Sequence, residues 1–268
     1  SAAQSLRNFL IHAYTHWRSD YFGDSHPFYL LLVGHPAAES GKSIPLLAGG
    51  DFFYACVTDD NADGIVDYND KLPCMAVGRL PVRNQTELTT ILDKIYSFEN
   101  SLTAPALDTL TLINGFSDTY PGEMVSDFYR RCIDSLLGSY PAGMAEWKRD
   151  GLENARETLF RSFNHGYYLV NFQSHGGIDR LAGTDSAGIW HSLLAPEDIP
   201  LFHTLGRCPI VMSYACHTGN FTTDSSRCLG EMLVSEAGGG AVAFIGSLTE
   251  IRPEYNLESN AGRLDDGC

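Results

Sequence analysis

Two apolar runs in this 268-residue chain end on side chains that can do covalent chemistry. YYLVNFQSHGG (Tyr167–Gly177) ends on His175 and two glycines; PIVMSYACHTGNF (Pro209–Phe221) carries Cys216 with Gly219 just beyond. A third run, GGGAVAFIGS (Gly238–Ser247), follows. Each reads as a buried strand, and in open α/β sheets reactive groups collect where strands end and loops begin. A free thiol ionises at about pH 8.5 and is a weak nucleophile near neutrality unless an imidazole takes its proton. His175 shares the strand-end and glycine context of Cys216, so the two read as a nucleophile and its base. Gly176 and Gly177 let the backbone come close to a substrate. The N–H groups of Gly176 and Cys216 can then face the oxyanion of a tetrahedral intermediate. His217 adjoins Cys216, but successive strand side chains point to opposite faces, which makes it a poor base. Cys132, Cys208 and Cys228 stand in apolar or helical contexts and read as core or surface thiols. No C-x2–4-C or H-x3–5-H pair is read as offering zinc-chelate spacing.

A different chemistry lies in one contiguous stretch, DDNADGIVDYND (Asp59–Asp70). Side-chain oxygens fall at loop positions 1, 3, 5, 9 and 12: Asp59, Asn61, Asp63, Asp67 and Asp70. Gly64 stands where such a loop turns sharply, and the Ile65 carbonyl is the backbone ligand. Hard cations need several converging oxygens, so the pattern predicts a structural calcium ion. The bland alternative is an acidic surface turn. No organic cofactor is expected. Cys56 and Cys74 flank this loop and could pair as a disulfide.

The elements that must position these residues alternate along the chain. Ala3–Trp17 places Leu6, Phe9, Leu10, Ala13 and Trp17 at helical spacing. Phe28–Val33 reads as a strand and Phe52–Val57 as a weaker one. Asn84 caps a helix to about Glu99 with Leu88, Ile91, Leu92 and Ile95 on one face. Leu110–Asn114 is a strand, Gly115–Gly122 a loop, and Glu123–Leu137 and Gly151–Asn164 helices. Strands ending at Phe172, over Ile210–Ala215 and over Ala241–Ile245 follow, with a helix from about Arg227 to Ala237 before the last. This alternation means crossover units and mostly parallel sheets flanked by helices. The reading is α/β, with two subdomains at 1–106 and 107–268. A net charge of −15 without a Lys/Arg cluster argues against nucleic acid as a partner. No apolar run approaches the ~18 residues that span a bilayer. No signal-peptide pattern opens the chain, and its polar end, NLESNAGRLDDGC, reads as a stop inside a longer protein.

At these residues the chain resembles the gingipain-type cysteine peptidases, family C25 of the caspase-like clan. LLLVG (Leu30–Gly34), IP (Ile44–Pro45), FFYAC (Phe52–Cys56), VGRLPVRN (Val77–Asn84) and YSFEN (Tyr96–Asn100) follow that family's first subdomain in order. FQSHGG, SYACHTGNF, CLGEML (Cys228–Leu233) and GGGAVAFIGS follow its catalytic subdomain. The resemblance implies two caspase-like α/β subdomains and endopeptidase activity through a Cys216–His175 dyad and an acyl-enzyme. It implies a protein or peptide substrate and a secreted or cell-surface location. Gln173, Ser174, Tyr214 and Ser247 flank the dyad as candidate substrate contacts. Two departures stand out. The family's histidine usually follows Gly, whereas here it follows Ser174. The Glu that orients the histidine in gingipains has no match at the start of Ile113–Glu123; Asp118 is the nearest substitute, and Glu123 another. The acidic residue that binds a substrate Arg matches Asp127 best, which implies cleavage after a basic residue, although Asp127 suits a helix N-terminus equally. A non-catalytic binding or assembly module and a thiol acyl-transferase are the alternatives on the same scaffold.

Overall fold

Alternating helices and strands divide into two units, Ser1–Leu88 and Thr89–Cys268. The computed structural model describes residues 1–17, 26–36, 43–47, 50–101, 110–114, 119–120, 123–124, 142–184, 189–204, 207–222 and 226–251. The boundary expected at 106/107 lies outside them. Among the described residues no helix is long and apolar enough to cross a membrane.

The first unit holds helix α1 (Ala2–His16), strand β1 (Tyr29–Val33), the short helix α2 (Phe52–Ala55) and strand β2 (Ala76–Leu80). β1 and β2 pair in parallel, Tyr29 opposite Ala76 and Val33 opposite Leu80. Leu10, Leu32, Tyr54, Val57 and Met75 share the core. α1 presents part of the apolar stripe that its spacing predicts: Leu10 and Ala13 are buried and Leu6 packs against the core. Phe9 and Trp17 are about half exposed and meet edge to face at 5.4 Å, while Arg7 is 1% exposed. The guanidinium reaches that position because four carbonyls meet it there: Phe53, Cys56, Val66 and Asp67, at 2.7–3.3 Å. A buried charge persists only when hydrogen bonds replace its hydration. Phe52–Ala55 is a helix, not the strand its apolar run suggested. Short apolar runs carry no decisive period, and here Tyr54 N–H closes a turn on Asp51 C=O while Tyr54 Oη donates to Pro45 C=O.

Helix α3 (Gln85–Ser101) contains the division between the units. Asn84 caps it as expected, its Oδ1 accepting from Glu87 N–H at 3.0 Å. Ile91 is buried on its inner face, but Leu92 is exposed and Lys94 takes the inward place.

The second unit is built on five parallel strands in the order β12-β11-β7-β3-β6. These are β3 (Leu110–Asn114), β6 (Ala142–Glu146), β7 (Leu169–Gln173), β11 (Ile210–Tyr214) and β12 (Ala243–Gly246). Helix α4 (Trp147–Asn164) packs on β3 and β6, and α5 (Leu229–Ser235) on β12. Ile113, Val170, Phe172, Val211, Leu159, Phe163, Leu229 and Leu233 are buried, each worth about 1.5–3 kcal/mol for the large side chains. Lys94 Nζ donates to the carbonyls of Leu233 and Val234 at the end of α5, and to Ala241. Burial lowers its pKa from 10.5 to about 8.

Sequence periodicity missed β6 and a three-stranded antiparallel sheet, β10-β9-β8, made of β8 (His175–Gly176), β9 (Leu181–Thr184) and β10 (Trp190–Leu194). Such short strands offer too few alternations to register. Where a helix from Glu123 was expected, β5 (Glu123–Met124) pairs with β4 (Thr119–Tyr120); residues 125–137 lie outside the described chain.

Candidate active site

Strand register brings His175 and Cys216 to the same end of the sheet. β7 and β11 are parallel neighbours, paired from Ile210 opposite Leu169 to Tyr214 opposite Gln173. Two residues beyond that last pair, β7 leads to His175 and β11 to Cys216. The chain after β7 turns into β8, where His175 pairs with Ala182. The chain after β11 enters a tight turn. A Cβ on Gly176 would lie 2.8 Å from Ala215 Cβ, 2.8 Å from Thr218 Cγ2 and 2.9 Å from Cys216 O. Those separations are shorter than real Cβ contacts, so glycine is required where the His175 segment presses on the Cys216 turn.

The turn is held from several sides. His217 has φ 60°, its N–H donates to Thr249 C=O, and its Nδ1 lies 3.3 Å from Leu248 O. His217 lies in the turn after β11 and not on a strand, so strand alternation does not set its direction. Gly219 N–H donates to Ser247 C=O, and Thr218 Oγ1 bonds Ala215 O and Ser213 Oγ. The first residues of α5 clamp both loops: Leu229 N–H donates to Ile178 C=O and Gly230 N–H to Thr218 C=O. Cys216 is half-buried with a free thiol, and Ile251 N–H points at its sulfur from 3.4 Å. Among the described residues the Cys216 N–H has no acceptor, whereas Gly177 N–H donates to Arg180 C=O. Burial pushes the pKa of Cys56 and Cys208 up, and that of Cys228 up to about 12. Thiols that resist ionisation in this way are poor nucleophiles.

A family model described as Peptidase family C25 matches residues 1–266. The chain belongs to that peptidase family. Among solved structures it resembles the Arg specific cysteine proteinase gingipain R, with 20% identity and a TM-score of 0.66 over 93% of this chain and 54% of that one. It also resembles the complex of Porphyromonas gingivalis RgpB pro- and mature domains, with 20% identity and a TM-score of 0.68 over 93% of this chain and 55% of that one. A structure described only as a protease gives 20% identity and a TM-score of 0.67, covering 93% and 50%. The chain thus spans about half the length of these structures, and it shares their α/β fold. A comparison with curated protein sequences returns no match.

The other expected site residues of this C25 chain are placed as follows. Asp118 and Asp127 lie outside the described residues. Gln173 and Ser174 are buried, and Ser174 Oγ has no hydrogen-bond partner among the described residues. Tyr214 is half-buried beside Gln173. Ser247 adjoins the Cys216 turn through Gly219, with its Oγ donating to Thr249 C=O at 2.9 Å. Trp190 went unnoticed in the sequence. Its ring centroid lies 4.5 Å from that of His175, and the only available signal was an aromatic residue between the two reactive runs.

The loop 59–70 is a web of side-chain-to-backbone bonds. Asp59 accepts from Asp63 and Gly64 N–H, Asn61 from Asp63 N–H, and Asp63 from Ile65 N–H. Gly64 has φ +87°, so the sharp turn falls where the pattern predicts. Asp67 accepts from Asn69 N–H. Asp70 is buried, and its two oxygens accept from Asp60 and Asp67 N–H. Burial opposes ionisation of Asp70, but those donors outweigh it and hold its pKa below the usual carboxylate value. Among the described residues no three His, Cys, Asp or Glu side chains converge as a metal site. Cys56 and Cys74 are free thiols, not a disulfide. Contrary to the expectation that no H-x3–5-H pair exists, His12 and His16 on α1 form one, and their rings stack at 4.2 Å.

Proposed function

We propose that this C25 chain is a cysteine endopeptidase working through Cys216 and His175. The observation that carries the reading is the β7–β11 register, with Tyr214 opposite Gln173 and Gly176 pressed on the Cys216 carbonyl. In the proposed reaction His175 takes the Cys216 proton and the thiolate attacks a peptide carbonyl. The Cys216 and Gly176 N–H groups face the oxyanion, and Asp118 orients the imidazole. The tetrahedral adduct collapses, the C–N bond breaks, and the imidazolium protonates the departing amine. Water, deprotonated by His175, then cleaves the thioester and frees Cys216. Gln173, Ser174, Tyr214 and Ser247 border the substrate, and Asp127 selects a basic residue before the bond. Secretion or cell-surface display fits this role.

Calcium is the proposed structural ion of loop 59–70, held by Asp59, Asn61, Asp63, the Ile65 carbonyl, Asp67 and Asp70. It would supply charge balance to four aspartates in one turn.

Digestion of a denatured protein, with the new N-termini sequenced, tests the enzymatic reading. Cleavage by the wild type, preceded by Arg or Lys and absent in Cys216→Ala and His175→Ala, is expected. Equal cleavage by Cys216→Ala would overturn the role of the thiol, and cuts lacking any basic residue would remove Asp127 from the pocket.

A further inference from the structure

Trp190 and Ile189, 59% and 58% exposed, place apolar surface beside the His175 imidazole. The indole reaches His175 by a route that the sheet register explains. On β9, Ala182 stands opposite His175, and Thr184, two residues on, stands opposite Trp190. Residues two apart share a face, so imidazole and indole lie on one side of the small sheet. Between them is the small side chain of Ala182, 8% exposed, over which the rings meet at 4.5 Å and 59°.

From this geometry we propose that Trp190 forms an apolar subsite for the side chain that follows the scissile bond, and so selects substrates with an aromatic or large aliphatic residue there. The inference rests on the Cys216–His175 reading. An imidazolium that protonates the leaving amine must come within about 2.6–3.2 Å of its nitrogen. The residue that owns that nitrogen therefore passes beside the His175 ring, one ring contact from the indole. A tryptophan anchored on one side and open on the other offers a rigid apolar wall there.

The test is a peptide library digested by wild type, Trp190→Ala and Trp190→Phe, with cleavage sites read by mass spectrometry. In parallel, immobilised Cys216→Ala and its Trp190→Ala double variant capture uncleaved peptides from the same library. Wild type should favour Phe, Tyr, Leu or Ile after the bond. Trp190→Ala should lower cleavage at those sites about three- to tenfold while sparing sites followed by Gly, and Trp190→Phe should retain most of the preference. Cleavage without a preference after the bond, or a preference unchanged in Trp190→Ala, overturns the subsite and leaves the peptidase reading standing. Uniform slowing at every site, Gly included, also overturns it, because Trp190 would then act only by placing His175. No cleavage, but capture of apolar peptides lost with Trp190, would support the wall and overturn the peptidase reading. Neither cleavage nor selective capture overturns both.

Discussion

Two polar sites in this molecule are built on opposite plans. Loop 59–70 is held largely from within: every carboxylate named in its pattern accepts from N–H groups of the same loop, from Asp59 on Gly64 to Asp70 on Asp60, with Arg7 adding donors to its Val66 and Asp67 carbonyls. The Cys216 turn is held from outside, by Ser247 and Thr249 after β12, by the first residues of α5, and by Gly176 leaning on it. A local plan shows in contiguous sequence. An assembled plan depends on strand register, so its failure points lie on segments remote in sequence from Cys216.

The sharpest way to break the assembled site is Gly176→Ala. The added Cβ would collide with Ala215, Thr218 and the Cys216 carbonyl, so the His175 segment must shift. Overpacking of this kind costs about 1–3 kcal/mol, but activity should fall by about 100-fold, because an ångström of misplacement has that effect. Peptide hydrolysis and thermal unfolding, measured together, check both. In the local site the corresponding break is Arg7→Met, which strips four carbonyls of their donor, two of them at Val66 and Asp67 in the loop. Chemical denaturation should show a loss of about 3–5 kcal/mol. Asp70→Asn should cost less, about 1–3 kcal/mol, since one acceptor oxygen remains. Its measurement with calcium and with chelator also tests the ion: a melting temperature that calcium raises in wild type but not in Asp70→Asn supports it, and no calcium response removes it.

The smallest effect concerns pH. Lys94 titrates at about 8 in the fold against 10.5 ordinarily, so its charged form is penalised on folding. The unfolded chain then binds more protons between those values, and stability from Lys94 rises with pH across that window and is lost as pH falls through about 8. Cys228 works in the other direction: its pKa of about 12 against 9 means that stability is full below pH 9 and declines as pH rises toward 12. From pH 8 to 9 the wild type should gain up to about 1 kcal/mol relative to Lys94→Met. Denaturation midpoints of both proteins across pH 7–10 check the sign.

The same contrast governs what could be read in advance. The sharp turn at Gly64 and the strand-end context of His175 and Cys216 were legible, as were the parallel strands from their continuous apolar runs, although β1 and β12 leave Leu31 and Ile245 more than half exposed. Register was not: nothing local tells Gln173 that Tyr214 is its neighbour. The four-residue helix at Phe52 was misread because four aromatic and small residues fit either period. Arg7 and Lys94 were invisible as core residues because carbonyls from distant segments satisfy them. Trp190 gained its meaning only from the pairing of β8, β9 and β10.

The central claim is that Cys216 is a nucleophile made reactive by His175. Its most direct test is labelling by acyloxymethyl ketone peptides carrying a basic, an acidic or an apolar residue, with the adduct mapped by mass spectrometry. The account predicts an adduct on Cys216 in the wild type, strongest with the basic peptide, and none in Cys216→Ala or His175→Ala. An adduct on another cysteine, or undiminished labelling of Cys216 in folded His175→Ala, would contradict it.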